Sequence, residues 1–252
     1  MTILQARDLA IRFGGIKAVD GITFDVAEGE IFTIIGPNGA GKTTIFNLIS
    51  RIYDVSGGRL LFEGIDITRV PPHQIAGRGI ARTFQNVELF EHATLLQNLL
   101  LGQHAHRQTR FWEELLFLPR VRSSERKIRR CVEEVIDFLD LQRYRDATVH
   151  DLPYGVRKII ELARALCARP KLILLDEPSS GLNVEETEDL SFWIRDIRDD
   201  LGITVVMVEH DLSLVNDVSD RVMAVNYGRL LTIGSPAAVQ SHPDVVKAYL
   251  GG

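Results

Sequence analysis

The chain has 252 residues, a formal net charge of −5 and 45% apolar residues, the composition of a globular protein that can bury a hydrophobic core. The negative charge disfavours proteins that bind nucleic acid through a positive surface, so we expect no nucleic-acid partner. Charged residues within Met1–Asp8 argue against a secretory signal, and no apolar run approaches the roughly 20 residues of a membrane-spanning helix. Cys131 and Cys167 lie far apart on predicted helices, as expected of reduced core residues rather than of a disulfide framework or metal site.

The chain up to Ile67 shows the alternation of apolar and polar residues that is typical of short antiparallel strands. Turns that contain glycine separate the apolar stretches. The predicted strands are Ile3–Ile11, Ile22–Val26, Glu30–Ile35, Leu60–Phe62 and Ile65–Ile67. We therefore expect an antiparallel β subdomain beside the strand Glu30–Ile35, which is apolar enough to be buried.

The most specific pattern is the glycine-rich segment Gly36–Thr44, called the phosphate loop below, which precedes a predicted helix through Ile45–Ile49. It fits G-x-x-x-x-G-K-[ST] at every fixed position with Gly36, Pro37, Asn38, Gly39, Ala40, Gly41, Lys42, Thr43 and Thr44. Glycines let successive backbone N–H groups point into one concavity, and the helix N-terminus adds a positive dipole. Lys42 can reach the β- and γ-phosphates and the Thr43 hydroxyl can bind Mg²⁺, so the loop predicts a nucleoside triphosphate site. A plain glycine turn would not require Lys-Thr after its last glycine.

The middle of the chain changes to helical spacing of its apolar residues. The predicted helices are Leu95–Leu101 with Thr94 as N-cap, a helix through Ile128–Leu139, and Gly155–Ala168 before Pro170. We interpret residues 94–169 as a helical subdomain inserted into the surrounding fold.

Predicted strands and helices alternate after Pro170. The strands are Leu172–Leu175, Thr204–Val208, Arg221–Val225 and Arg229–Ile233, and the helices are Val184–Leu201, Leu212–Val218 and one closing helix after Ser235-Pro236. Alternation around a phosphate loop predicts an α/β fold: a P-loop NTPase core with a mainly parallel sheet, an antiparallel β subdomain and an inserted α-helical subdomain. We expect residues 1–252 to form one nucleotide-binding domain.

Two acidic residues, Asp176 and Glu177, directly follow the apolar strand Leu172–Leu175. Nucleotides bind at the C-terminal ends of strands in open α/β sheets. Asp176 is expected to hold Mg²⁺ through water, and Glu177 to orient or deprotonate the attacking water, because phosphoryl transfer depends on positioning and charge neutralisation. Two acidic residues after an apolar strand also occur where a strand simply ends in solvent. The phosphate loop earlier in the chain favours the catalytic interpretation.

Several motifs occur in the order and approximate spacing of one family, the ATP-binding cassette (ABC) ATPases, which this chain resembles over essentially its whole length. The motifs are the phosphate loop, Gln85, Leu152–Gly155, Asp176-Glu177, Ser180–Asn183 and His210. The chain also resembles a subgroup, the ATP-binding subunits of branched-chain amino-acid importers, in Ala81–Asn86, Gly181–Asn183, Val208–Asp211 and Val245–Gly251. The resemblance implies ATP hydrolysis coupled to transport, with ATP and Mg²⁺ as cofactors.

The resemblance also implies roles for single residues. Phe13 corresponds to the aromatic residue that stacks on adenine. Gln85 corresponds to a glutamine that touches Mg²⁺ or the lytic water, and His210 to a histidine that contacts the γ-phosphate. Val19 joins the implied nucleotide-binding set; the implied metal residues are Thr43, Gln85 and Asp176, and the implied catalytic residues are Lys42, Gln85, Glu177 and His210. Taken alone, these residue types have ordinary alternatives: a core aromatic, a solvated glutamine and a surface histidine.

The chain departs from the family in the signature segment, which is L-S-G-G-Q there and Leu152–Val156 here. Pro153 stands where the family has a serine that donates to the γ-phosphate across the dimer, and proline has neither a hydroxyl nor a backbone N–H. Gly155 and the following helix N-terminus can still present N–H groups to a phosphate. Tyr154, Gly155 and Asn183, which replaces the more usual aspartate, complete the implied nucleotide-binding set.

The resemblance implies a second ABC ATPase subunit (a copy of this chain or a homologue) and integral membrane permease subunits as partners, with a periplasmic or extracellular substrate-binding protein as an indirect one. The implied location is peripheral, at the cytoplasmic face of the cell membrane. Two alternatives stay open: another cargo such as urea, lipid or lipopolysaccharide, or a soluble regulatory ABC protein that acts on ribosomes or DNA. The arginine-rich stretch 107–130 fits either a solvated helical excursion or a docking surface near the membrane partner or anionic headgroups.

Overall fold

The computed structural model describes residues 1–83, 88–103 and 119–250, and side chains are described for all of these except 119–124 and 250. The strands are β1 (Thr2–Phe13), β2 (Ile16–Ala27), β3 (Ile31–Ile35), β4 (Gly57–Phe62), β5 (Ile65–Asp66), β6 (Ile80–Arg82), β7 (Leu172–Asp176), β8 (Thr204–Val208), β9 (Arg221–Asn226) and β10 (Arg229–Gly234). The α-helices are α1 (Lys42–Ile49), α2 (Leu95–Gly102), α3 (Pro119–Phe138), α4 (Tyr154–Cys167), α5 (Val184–Asp199), α6 (Leu212–Val218), α7 (Pro236–Gln240) and α8 (Pro243–Leu250). Short 3₁₀ turns occupy Pro72–Gln74, Ala76–Arg78, Gln142–Tyr144 and Val149–Asp151.

Four of the strands form an antiparallel sheet in the order β2-β1-β4-β5. The long strands β1 and β2 pair from Thr2 opposite Ala27 to Phe13 opposite Ile16. Along β2, buried and exposed residues alternate, because one face of the sheet packs on the core and the other faces solvent. The predicted antiparallel β subdomain is confirmed.

The other six strands form a sheet in the order β10-β9-β3-β8-β7-β6. All its neighbouring pairs are parallel except β9 and β10, which form a hairpin. The prediction of a mainly parallel sheet is therefore confirmed. The edge strand β6 was not predicted, because its three residues are too short a run to show a period.

Both faces of this parallel sheet are covered. On β7, Leu172 and Leu174 lie in a core cluster with the antiparallel sheet and α1. Ile173 and Leu175 lie in a second cluster with residues of α2, α3 and α4. Burial on both faces explains why β3, β7 and β8 are continuous apolar runs that the sequence reveals directly.

The first helix of the proposed helical subdomain begins as predicted. The Thr94 hydroxyl accepts a hydrogen bond from the Gln97 backbone N–H at 3.2 Å, and the Gln97 side-chain oxygen accepts one from the Thr94 N–H at 2.9 Å. This reciprocal pair caps two N–H groups that no helical carbonyl can reach. Because the apolar cluster of α2, α3 and α4 continues onto the sheet, the boundary at 94–169 stays a prediction.

The C-terminal segment forms two helices, α7 and α8, where one was predicted. Pro243 begins α8, because its fixed φ suits a first helical turn while its missing N–H cannot extend the helix before it. Val245 of α8 belongs to the same apolar cluster as Ile35, the residue immediately before the phosphate loop. The end of the chain is thus packed beside the start of the phosphate loop.

Candidate nucleotide site

The phosphate loop joins β3 to α1 and forms one wall of a cleft of about 430 Å³. Gly41 is the N-cap of α1, with φ of 102° in the region that favours glycine. A Cβ at this position would lie 2.7 Å from the Ala18 backbone oxygen, so a larger residue does not fit. No side chain caps the N-terminus of α1, which leaves its first N–H groups and positive dipole end for an anion.

The cleft has the size and chemistry of a mononucleotide site. Its lining consists of Asn38, Gly39, Ala40, Gly41, Lys42, Thr43 and Thr44 of the phosphate loop, with Ile16, Lys17, Ala18, Glu177, Tyr227 and Gly228 around them. The structure therefore brings most of the predicted loop residues and Glu177 to one place. Gly36 and Pro37 lie at the base of the loop, where their carbonyls hold Lys42.

Lys42 is buried beneath the loop that it belongs to. Its Nζ donates to the Gly36 carbonyl at 2.7 Å and to the Pro37 carbonyl at 3.2 Å. Burial lowers the pKa of Lys42 from its ordinary value, and the charges of Glu177, Asp176 and Glu209 oppose that shift. An incoming phosphate would supply a counter-charge to this buried ammonium.

Asp176 and Glu177 are adjacent in sequence but their side chains have different surroundings. Asp176 is buried, and its Oδ2 accepts a hydrogen bond from the Arg82 guanidinium at 2.7 Å. Glu177 has a φ of 48°, a conformation uncommon for a residue other than glycine, and its N–H donates to the Val208 carbonyl at 2.9 Å. This turn takes the chain off β7, and Glu177 lines the cleft beside the phosphate loop.

Two of the predicted metal residues have chemistry that fits Mg²⁺, although Asp176 does not itself line the cleft. Asp176 Oδ1 is buried and has no hydrogen-bond partner among the described residues, and the exposed Thr43 lies on the cleft wall. Within the described part of the chain, no group of three His, Cys, Asp or Glu side chains could hold a metal ion. Mg²⁺ needs no such group, because it keeps several waters and takes phosphate oxygens besides one or two protein ligands. Gln85, the third predicted metal residue, lies outside the described residues.

His210 follows β8 and lies near Glu177. Its Nδ1 is 3.9 Å from Glu177 Oε2 and 3.6 Å from Glu209 Oε2. The fully buried Glu209 accepts hydrogen bonds from the backbone N–H groups of Ser179 at 2.9 Å, His210 at 2.7 Å and Asp211 at 3.0 Å. Glu209 was not predicted as a site residue. The sequence feature that could have indicated it is an acidic residue directly after a buried strand.

The predicted base-binding residues lie at the margin of this cleft. Phe13 is partly exposed and meets Tyr53 edge to face, with ring centroids 5.1 Å apart, but it does not line the cleft. Val19 is fully buried in the core, and its neighbour Ala18 lines the cleft instead. Their contact with the nucleotide stays a prediction. The exposed Tyr227, which was not predicted, lies on the cleft wall.

The signature residues lie outside this cleft. Pro153 is the N-cap of α4, and a Cβ on Gly155 would collide with the Glu186 carboxylate. Asn183 N-caps α5: its side chain accepts from the Glu186 N–H at 2.9 Å, and the Glu186 carboxylate accepts from the Asn183 N–H at 3.0 Å.

The Tyr154 ring lies against Gly181, where an added Cβ would come within 2.7 Å of it. Gly155 and Asn183 both contact Glu186, and Tyr154 contacts Gly181, two residues before Asn183. None of the three lines the phosphate-loop cleft. Within one chain, the predicted nucleotide-binding residues therefore lie at two separate locations.

Two family models match this chain. The ABC transporter model matches residues 19–180, and the model described as branched-chain amino acid ATP-binding cassette transporter matches residues 229–252. The latter covers β10 and the two C-terminal helices.

Curated relatives match over nearly full length. The high-affinity branched-chain amino acid transport ATP-binding protein BraF of Pseudomonas aeruginosa is 41% identical over 99% of this chain and 98% of its own length. The corresponding protein LivG of Escherichia coli is 36% identical over the same shares. The sulfate/thiosulfate import ATP-binding protein CysA of Burkholderia mallei is 33% identical over 98% of this chain and 66% of its own length.

Solved structures agree with the fold. A nucleotide-free ATP-binding cassette from an ABC transporter has a TM-score of 0.87 and 30% identity, and covers 100% of both chains. The ADP conformation of an ATP-binding cassette of an ABC transporter has a TM-score of 0.86 and 29% identity, again over 100% of both chains. With the phosphate-loop cleft, the mainly parallel sheet and these full-length matches, the chain belongs to the ABC transporter family as an ATP-binding cassette ATPase.

Proposed function

We propose that this chain is the ATP-hydrolysing subunit of an importer for branched-chain or related amino acids, peripheral to the cytoplasmic face of the cell membrane. The observation that carries the proposal is that the predicted nucleotide-binding residues lie at two separate locations. We interpret each location as a half-site, which can act only when another subunit completes it. Full-length similarity to two branched-chain amino-acid transport ATP-binding proteins supports the cargo class. None of the helices in the described residues combines the length and the apolar character of a membrane span.

In the proposed reaction the phosphates of ATP lie over the N-terminus of α1, and the Lys42 ammonium exchanges its loop carbonyls for phosphate oxygens. Glu177 orients or deprotonates the water that attacks the γ-phosphate, and His210 contacts that phosphate. When bound, Mg²⁺ neutralises charge on the transferred group, and Thr43, Asp176 and Gln85 are the residues that would hold it.

The second half-site, formed by Tyr154, Gly155 and Asn183, comes from the partner subunit in this proposal. Gly155 lies in the first turn of α4, where a positive helix end can face the γ-phosphate of an ATP held by the other chain. Two such contacts related by a two-fold axis close two sites at once. Pro153 removes one donor from each contact but leaves the helix end in place.

This arrangement predicts a dimer that depends on ATP. The Glu177→Gln protein should be largely monomeric alone and shift to a two-fold dimer with Mg-ATP, because nucleotide bridges the half-sites and is not hydrolysed. Size-exclusion chromatography with light scattering measures the change. Adding Gly155→Asp to this background is the control, since its Cβ would displace the Glu186 carboxylate and its own carboxylate would face the γ-phosphate, and both should prevent dimer formation.

A stable dimer that forms without nucleotide would contradict the sandwich for this chain. No dimer in either condition, followed by assembly when a homologous subunit is mixed in, would indicate a heterodimer and leave the site assignment intact.

The docking surface for the permease is proposed at Leu89 and Phe90, beside α2. Phe90 is 60% exposed, an unusual placement for a large apolar side chain. The buried Asn98 holds its backbone on both sides, accepting from the Phe90 N–H at 2.8 Å and donating to the Phe90 carbonyl at 3.1 Å. An exposed aromatic side chain on a backbone fixed in this way can anchor a short helix of a membrane partner. Leu89 also packs against the core, so Phe90 is the cleaner test.

We expect Phe90→Asp to abolish coupled transport while the basal ATPase activity of the isolated subunit persists. Uptake of radiolabelled leucine into vesicles with the permease and binding protein measures the first quantity, and phosphate release the second. Phe192→Asp is a matched control, because Phe192 is 58% exposed and belongs to a different element, α5. Full leucine uptake by Phe90→Asp would refute the docking site.

The cargo is tested separately. Loss of leucine uptake in a strain that lacks this chain supports the proposed cargo, whereas normal uptake refutes it and leaves the ATPase assignment standing. The similarity to a sulfate/thiosulfate import protein gives the second candidate, so sulfate uptake belongs in the same assay.

A further inference from the structure

A buried arginine, Arg82, connects three parts of the candidate site. It is the last residue of β6 and its side chain is 8% exposed. One guanidinium nitrogen donates to Asp176 Oδ2 at 2.7 Å, and another donates to Asn47 Oδ1 at 2.7 Å and to the Ser50 hydroxyl at 2.9 Å. Asn47 belongs to α1, and Ser50 is the C-cap of that helix. Arg82 therefore links the helix after the phosphate loop to the acidic end of β7.

The sheet geometry explains why these groups meet. Arg82 pairs with Leu174 in the register of β6 and β7, and Leu174 and Asp176 lie two residues apart on the same face. That face is covered by α1, whose Phe46 ring lies 5.6 Å from the centre of the Arg82 guanidinium. The planar guanidinium is therefore held by an aromatic ring as well as by three oxygen acceptors.

The two carboxylate oxygens of Asp176 have different surroundings. Oδ2 is taken by Arg82, whereas Oδ1 is buried and has no hydrogen-bond partner among the described residues. A carboxylate fixed through one oxygen presents the other in a single direction. Outer partners of this kind orient the groups that bind a metal, and their loss typically weakens metal binding.

We propose that Arg82 is a positioning residue that holds Asp176 in the orientation needed at the Mg²⁺ of bound ATP. The proposal rests on the function proposed above for Asp176. Arg82 acts through Asp176 and not on the nucleotide. Its hydrogen bonds to Asn47 and Ser50 fix the position of the Asp176 carboxylate relative to α1. If the ion pair between Arg82 and Asp176 only stabilised the fold, its loss would lower the melting temperature without changing how Mg²⁺ affects nucleotide binding.

The experiment measures the dissociation constant of a fluorescent ATP analogue with EDTA and with Mg²⁺. The value with EDTA divided by the value with Mg²⁺ is called the Mg²⁺ ratio, and it is larger when Mg²⁺ strengthens binding more. Arg82→Lys keeps the charge but cannot reach three acceptors with a planar fork. We expect it to reduce the Mg²⁺-dependent gain in affinity by about 10- to 100-fold, the range found when outer partners of metal ligands are removed. Asn47→Ala removes one anchor and should give a smaller reduction in the same direction.

Arg51→Lys is the matched control. Arg51 is also a buried arginine beside α1, but it donates to the Val70 and Tyr53 carbonyls and to Asp54. None of the described site residues is among these side-chain partners. It should lower the melting temperature and leave the Mg²⁺ ratio unchanged. An unchanged or increased ratio in both Arg82→Lys and Asn47→Ala would overturn the proposal.

Asp176→Asn separates this inference from the function on which it rests. If Asp176→Asn lowers the Mg²⁺ ratio and the Arg82 and Asn47 variants do not, the positioning role fails alone. If Asp176→Asn leaves the ratio unchanged, the proposed metal role of Asp176 fails and the positioning role fails with it.

Discussion

Glu177→Gln is expected to reduce ATP turnover by about 10²- to 10⁴-fold while nucleotide binding persists. Glutamine keeps the size of the side chain but cannot accept a proton from the attacking water. The backbone at Glu177 is held by its hydrogen bond to Val208, so the substituted side chain should still line the cleft. Phosphate release at saturating Mg-ATP gives the turnover, and titration with a fluorescent ATP analogue gives the affinity.

Glu185→Gln is a matched control, because Glu185 is an exposed acid in the first turn of α5, away from the cleft. Turnover at the wild-type rate in Glu177→Gln would show that another group activates the water. Loss of binding together with turnover would mean that Glu177 holds the nucleotide site together rather than acting on water.

The second large effect is expected at Lys42. Lys42→Ala should weaken ATP binding by about 100-fold or more, because two charge-assisted hydrogen bonds to phosphate are lost, each of about 1.5–3 kcal/mol. The protein without nucleotide should not lose stability to the same degree, since burial lowers the pKa of Lys42 and so disfavours its charged form in the folded state. The rise in melting temperature on adding ATP should therefore disappear, with little change in the starting value.

Lys171→Ala provides the comparison. Lys171 forms an exposed ion pair with Glu63, far from the phosphate loop in sequence, and its loss should leave the ATP-induced shift intact. A normal ATP-induced shift in Lys42→Ala would contradict the assignment of this lysine to the phosphates. A large drop in melting temperature without nucleotide would indicate instead that Lys42 stabilises the loop through the Gly36 and Pro37 carbonyls.

Local features of the fold could be predicted because each one shows in consecutive residues. The phosphate loop is a continuous motif, and β7 and β8 are apolar throughout because both of their faces are buried. The N-cap at Thr94 was also visible, since both members of its hydrogen-bonded pair lie within one helical turn.

Features that depend on strand order could not be predicted in this way. Arg82 and Asp176 are 94 positions apart, and they meet only because β6 lies beside β7 in the sheet. Asn183 shows another difficulty: the sequence indicated a nucleotide contact, and the structure shows that its side chain also caps α5. One side chain can serve both purposes, and a pattern of residues does not distinguish them.

The buried carboxylate of Glu209 makes two loops mechanically dependent on each other. It accepts N–H groups from Ser179, after β7, and from His210 and Asp211, after β8. Moving either loop alone would remove a hydrogen-bond partner from a fully buried carboxylate, which is costly inside a protein. Displacement of His210 should therefore draw along the segment that leads from Glu177 to Asn183. In the proposed dimer, a change at the γ-phosphate beside His210 would in this way alter the position of Asn183, which belongs to the proposed second half-site.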